Sequence, residues 1–135
     1  MVGACWTSAG DLWYPPTMPV TVYQYPKCST CRKALRWLEG ASVRYEAVDL
    51  VATPIPQKKL AELHERSGLP ISRFFNTSGV SYREGDWKSR LPGLSLDAAL
   101  RALAADGKLV KRPILDTGKQ VLVGFDETAY SAVFE

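Results

Sequence analysis

The reading of this chain turns on residues 20–40, VTVYQYPKCSTCRKALRWLEG. The first six, VTVYQY, are β-branched or aromatic at almost every place and predict a strand. Pro26-Lys27 breaks that pattern. Ser29 has the chemistry of an N-cap, which predicts a helix running to about Glu39 with Gly40 as its stop. Cys31, Ala34, Leu35 and Leu38 recur at i, i+3, i+4 and i+7 and form one apolar face. Arg32, Lys33 and Arg36 fall mostly off it. Beyond the helix, Val43, Tyr45 and Ala47 alternate with Arg44 and Glu46, the pattern of a second strand. Strand, helix and strand within about thirty residues make a βαβ unit.

Residues 1–18 have no period and are rich in small residues and proline. They read as a loose N-terminal extension, with the patterned domain covering 19–135 and starting just after Met18. Past the βαβ unit, Pro56 suits the first position of a helix whose apolar face holds Leu60 and Leu63. Gly68-Leu69-Pro70 ends that helix. Residues 71–94 read as short helices and loops around Phe74, Phe75, Trp87 and Leu91. Ser95 can cap a further helix with Leu100 and Leu103 inward and Gly107 as its stop. Arg112-Pro113-Ile114-Leu115, a turn at Asp116-Thr117-Gly118-Lys119, and Gln120-Val121-Leu122-Val123 form a hairpin signature. A closing helix is predicted over 125–134. The fold class is therefore α/β. A thioredoxin-like mixed sheet carries a helical insertion between its βαβ and ββα halves.

The chain has 135 residues, 46% hydrophobic and 23% charged, the balance of one globular domain. That length buries about two-thirds of the unfolded surface. Net charge is +3, from 17 basic against 14 acidic residues. No tail concentrates it, so direct nucleic-acid binding is not expected. No apolar run is long enough to span a membrane. Three cysteines cannot close a disulfide framework, and the first residues lack the basic start of a secretion signal. The expectation is a cytoplasmic monomer in a reducing setting, where a C-x-x-C pair is usually catalytic or metal-binding.

The chemistry sits at Cys28 and Cys31. A thiolate is the reactive form of cysteine, and a free thiol with a pKa of about 8.5 is mostly protonated at neutral pH. Cys28 lies just before a helix whose first amides lack partners, and Arg32 and Lys33 add positive charge nearby. This predicts Cys28 as nucleophile and Cys31, one turn on, as resolving thiol. The helix start at Ser29 and Thr30 could also hold an oxyanion. A zinc site would need Cys5 and His64 as further ligands, from a loose tail and a polar helix, and is disfavoured. No phosphatase loop is present, because the residue six after Cys28 is Ala34. His64, beside Glu65 with Glu62 and Arg66 near, reads as part of a solvated face. Neither metal nor organic cofactor is implied. Arg112-Pro113 is a second site. In a thioredoxin-like layout the proline opening the third strand faces the cysteine loop, commonly through a cis bond, and Arg112 is a candidate pocket residue.

Four motifs in order carry a family resemblance: Tyr25-Pro26-Lys27-Cys28-Ser29-Thr30-Cys31-Arg32-Lys33-Ala34, Phe74-Phe75-Asn76-Thr77-Ser78-Gly79, Arg112-Pro113-Ile114 and Val123-Gly124-Phe125. Together they resemble the arsenate reductase-like family, which includes the Spx-type regulators. The resemblance implies a thioredoxin fold with a helical insertion. It implies that a cysteine at the position of Cys28 attacks arsenate, with arginines matching Arg32 and Arg112. Three departures stand out. Those reductases have no cysteine where Cys31 stands, one of their arsenate-binding arginines maps onto Gly124, and another falls nearest Ser72 and Arg73. The Spx-type regulators do carry C-x-x-C and Arg-Pro-Ile, sense oxidants, and bind the C-terminal domain of the RNA polymerase α subunit. A glycine of that contact falls near Gly68.

Two functions are therefore expected. The first is a thiol–disulfide oxidoreductase acting on a small oxyanion or a thiol/disulfide substrate. Its catalytic residues are Cys28, Cys31, Arg32 and Arg112, and Ser29, Thr30, Arg73 and Pro113 bind substrate. Thioredoxin or a glutathione/glutaredoxin system reduces it. The second is a redox-sensing regulator of the polymerase α subunit.

Overall fold

The computed structural model describes residues 20–134. The expected extension over 1–18, with Cys5 and the start near Met18, lies outside the described residues. Strand β1 (Val20–Gln24) leads into helix α1 (Ser29–Gly40), and strand β2 (Tyr45–Asp49) follows, parallel to β1. The βαβ unit is as read, with two shifts. The N-cap of α1 is Cys28, not Ser29: its backbone is extended, and its side chain accepts from the Cys31 amide. β2 begins two residues later than the alternation predicted. The Val43 amide is spent on the Leu38 carbonyl at 2.9 Å, and Ser42 has a left-handed φ of 59°, so the ladder opens only at Tyr45.

The insertion comprises α2 (Gln57–Ser67), α3 (Val80–Glu84), α4 (Trp87–Arg90) and α5 (Leu96–Ala105), with 3₁₀ turns at Ile71–Phe74 and Leu91–Gly93. Pro56 caps α2 from outside rather than opening it, and its carbonyl accepts from Leu60 at 2.9 Å. Gly68 ends α2 at a φ of 70°, the left-handed conformation that glycine adopts freely. Ser95 caps α5 by accepting from the Ala98 amide at 3.2 Å. The end of α5 differs from the reading: Asp106 is the C-cap. Gly107 is instead buried against β2's exit, where a Cβ would lie 2.2 Å from the Leu50 carbonyl oxygen. It is a glycine because two backbones meet there.

Strands β3 (Ile114–Asp116) and β4 (Val121–Val123) form the hairpin, and α6 (Glu127–Phe134) closes the chain. Asp116 belongs to β3 and not to the turn. The sheet order is β2-β1-β3-β4, with β3 antiparallel to both β1 and β4. Alternation along β1 and β3 sends side chains to two cores. Val20, Val22 and Leu115 pack with Ala34, Leu38 and Tyr130 under α1 and α6. Ile114 and Val121 pack with Leu60, Leu63, Phe74, Phe75 and Leu103 under the insertion. This three-layer arrangement is the thioredoxin-like α/β fold, with its helical insertion covering one face.

Candidate active site

The site forms where β1 hands the chain to α1. The turn closes with the Cys28 amide donating to the Tyr25 carbonyl at 2.9 Å. Cys28 is half-buried, while Ser29 and Thr30 are exposed in the first helical turn. The Cys31 amide donates to Cys28 Sγ at 3.4 Å, so the sulfur occupies the place where a helix start offers unpaired N–H groups. Cys31 is fully buried on the inner face of α1. Both cysteines are free thiols.

Their electrostatics diverge. Burial works to push the Cys28 thiol up, but hydrogen bonding with the Cys31 thiol and amide, and the charge of Arg112, outweigh it and leave Cys28 below an ordinary cysteine. Burial pushes the Cys31 thiol up to about 12, with the Cys28 sulfur adding to it.

Arg112 reaches this loop from the segment just before β3. The Arg112–Pro113 bond is cis, and Pro113 is buried. The guanidinium lies 5.1 Å over the Tyr25 ring, and its Nε is buried without a hydrogen-bond partner. The segment is pinned on both sides. The Gly124 amide donates to the Pro113 carbonyl at 2.8 Å, and the Lys111 amide donates to the Phe74 carbonyl at 2.7 Å. A bridge between Phe75 and Val110 completes the seam. The Phe-Phe-Asn-Thr-Ser-Gly motif thus supports the arginine-proline motif through its backbone.

Other predicted residues stand apart. Arg32 is exposed and donates to the Pro26 carbonyl at 3.1 Å, bracing the loop from outside. Arg73 is exposed in the 3₁₀ turn, and no hydrogen bond or ion pair ties it to the cysteine loop. His64 is half-buried with its ring edge-on to Phe74 at 5.8 Å, so packing accompanies its solvated neighbours. Two residues escaped the sequence reading. Tyr25 holds Arg112, and the only signal for it was an aromatic beside the cysteine loop. Tyr130 lies deep in the α1–α6 core, and a lone tyrosine in an apolar helix carries no signal at all. Among the described residues, no cluster of His, Cys, Asp and Glu has metal-site geometry, and no helix is long and apolar enough to cross a membrane.

Comparison with known proteins agrees with this architecture. The model of the ArsC family matches residues 23–133. The uncharacterized protein YusI of Bacillus subtilis (strain 168) is 44% identical over 84% of this chain and 96% of its own length. A crystal structure of a possible arsenate reductase from Streptococcus mutans UA159 superposes with a TM-score of 0.78 at 43% identity, over 84% of this chain and 96% of that one. The global transcriptional regulator Spx 2 of Lactococcus lactis subsp. lactis (strain IL1403) is more distant, 26% identical over 80% of each chain. With the matched fold running from β1 to the last helix, this chain belongs to the ArsC family.

Proposed function

We propose that the protein is a thiol–disulfide oxidoreductase of the arsenate reductase-like type, with Cys28 as nucleophile and Cys31 as resolving thiol. The observation that carries this reading is the placement of two free thiols at one helix start: Cys28 caps α1 and its Sγ accepts from the Cys31 amide at 3.4 Å, while Cys31 is fully buried one turn on. Such a pair divides the labour of disulfide exchange. The Cys28 thiolate attacks one sulfur of a disulfide substrate, and the other sulfur leaves as a thiolate and is protonated. Cys31 then loses its proton and attacks Cys28 Sγ. The Cys28–Cys31 bond forms and the second substrate thiolate departs. Two electrons and two protons pass from the dithiol to the substrate. With arsenate the same two electrons reduce As(V) to As(III), and one oxygen leaves as water.

Arg112 stabilises anionic sulfur or oxyanion beside Cys28, and the Ser29 and Thr30 turn offers helix amides to the same charge. Arg32 braces the loop, and Pro113 presents backbone to the substrate. Thioredoxin or a glutathione/glutaredoxin system regenerates the dithiol, in the cytoplasm. The test is thiol-dependent turnover of arsenate and of a small disulfide by wild type, Cys28→Ser and Cys31→Ser. Cys28→Ser loses all turnover, and Cys31→Ser halts at a mixed disulfide on Cys28. Full activity of Cys28→Ser refutes the reading.

A second reading, a redox-switched partner of the RNA polymerase α C-terminal domain, is favoured by the relation to the Spx 2 regulator together with the dithiol pair. Gly68 adds nothing to it, because its φ of 70° is that of a helix stop. Pull-down of the α domain by reduced or oxidised protein tests it, and absence of binding in both states removes it.

A further inference from the structure

Helix α1 carries its charge against its own dipole. Arg32, Lys33 and Arg36 are exposed along it, its first turn holds no acid, its last turn holds no base, and its one acid, Glu39, stands near the end. Cations toward a helix start and an acid toward its end cost helix stability rather than adding to it. Local rules are broken in this way where function asks for it. Glu39 is engaged by the Tyr45 hydroxyl at 2.7 Å. Among the described residues, the side chains of Lys33 and Arg36 have no hydrogen bond or ion pair. The cation that acts on the Cys28 thiol is Arg112, so Lys33 and Arg36 have no task inside the dithiol site. On the helix surface Arg32 neighbours Arg36, Arg36 neighbours Lys33, and Lys33 neighbours Trp37. The row therefore runs from the cysteine loop, where Arg32 donates to the Pro26 carbonyl at 3.1 Å, to Trp37. There it opens into a groove of about 290 Å³, lined by Lys33, Arg36, Trp37, Phe125 and Glu127. Trp37 and Phe125 are half-buried, and both rings meet Tyr130 edge-on, at 5.5 and 4.9 Å. The aromatic floor is thus braced from the core and formed in advance. Glu127 sits in the first turn of α6, where an acid suits the helix start, and the lining keeps a net positive charge.

We propose that this basic row and its aromatic-floored groove are the docking surface of an acidic protein dithiol that reduces the Cys28–Cys31 disulfide. This rests on the dithiol reading above. Charge selects the partner: the unpaired Lys33 and Arg36, with Arg32 beside the cysteine loop, attract acidic side chains, and the floor between Trp37 and Phe125 seats an apolar one. Position selects its task. The row starts at the cysteine loop, so a protein seated along it brings its own thiols to the accessible side of Cys28. One partner thiolate attacks Cys28 Sγ, the Cys28–Cys31 bond breaks, and Cys31 leaves as a thiolate and takes a proton from solvent. The partner's second thiol gives its proton to solvent and attacks its own sulfur in the mixed disulfide, which expels Cys28 as a thiolate. The partner ends as a disulfide, and two electrons have passed to this chain. Opposite charges steer the encounter, so the surface acts on the association rate and weakens with salt. A small uncharged dithiol has no use for it.

The experiment follows reduction of the oxidised protein by a thioredoxin of net negative charge, and separately by dithiothreitol, with acid quenching, thiol alkylation and mass spectrometry. Arg36→Glu is expected to slow reduction by thioredoxin about tenfold at about 0.02 M salt, with the difference shrinking toward parity at about 0.5 M. Arg36→Lys keeps the wild-type rate, and Glu127→Gln, which removes the one acid of the groove, exceeds it. Dithiothreitol reduces every variant as it reduces wild type. An Arg36→Glu rate with thioredoxin equal to wild type, or equal slowing with dithiothreitol, overturns the proposal. Loss of captured RNA polymerase α C-terminal domain by Arg36→Glu, with the thioredoxin rate retained, overturns it in favour of a regulator's interface. The two layers of argument fail differently. If wild type forms no Cys28–Cys31 disulfide on oxidation, the dithiol reading itself fails. If the disulfide forms and charge reversal changes nothing, the docking surface alone fails.

Discussion

At the scale of single residues, the site works by contrast between neighbours. Cys28 and Cys31 are three residues apart, yet one caps the helix and the other is sealed beneath it. Spacing alone predicted this division, because i and i+3 on a helix start put one sulfur at the open end and the other on the inner face. What spacing left out was the source of the positive charge. The sequence offered Arg32 as the nearest cation, but its guanidinium is occupied with the Pro26 carbonyl. Arg112, eighty-odd residues away along the chain, is the charge that acts on Cys28. Arg112→Gln should therefore raise the Cys28 pKa and slow its alkylation about tenfold at neutral pH. The same substitution at Arg32 should change the Cys28 titration less, and thiol alkylation followed over pH compares the two.

At the scale of elements, strands and helices with strong periodicity were legible, while their ends were set by contacts no local pattern records. The apolar i, i+3, i+7 face of α1 is buried as read. The start of β2 moved because Val43 turned back to bond the helix end. Gly107 looked like a helix stop but marks the crossing of two backbones. Gly107→Ala should cost about 2 kcal/mol through overpacking, measured by denaturant unfolding. No loss of stability would mean that the Leu50 segment gives way. Asp116, read as a turn residue, is instead a buried end of β3. It binds Arg66 through two hydrogen bonds of 2.8 and 3.2 Å, with Lys59 at 3.5 Å, and accepts from the Gly118 amide. It ties the hairpin to α2.

Burial works to raise the Asp116 carboxyl, but Arg66, Gly118 and Lys59 outweigh it and hold the group below the usual carboxylate range. A carboxyl depressed in the folded state contributes stability above its unfolded pKa, and that stability is lost as pH falls through the folded value. Asp116→Asn should destabilise the protein by about 3 kcal/mol near neutrality. It should also flatten the wild-type loss of stability in strong acid, and unfolding curves collected over pH test both.

At the scale of the whole molecule, the fold brings three distant stretches to one place: the β1–α1 turn, the segment before β3, and the backbone of Phe74-Phe75. The order of elements was readable because each half of the sheet carries its own period-two or helical pattern. Convergence was not, because it depends on long-range pairing, β1 with β3 across the insertion and Phe75 of the insertion with Val110. Family motifs reported that convergence indirectly, since all four lie at or beside the cysteine loop or its supports. The central claim is that the cap of α1 holds a reactive thiolate while the thiol one turn later stays protonated. Its most direct test is site-resolved alkylation of the reduced protein by iodoacetamide over a pH series, read by mass spectrometry. The expected result is modification at Cys28, with a midpoint below that of free cysteine, and a Cys31 that remains unmodified until strongly alkaline pH. A Cys28 midpoint no lower than that of free cysteine, or preferential modification of Cys31 at neutral pH, would contradict it.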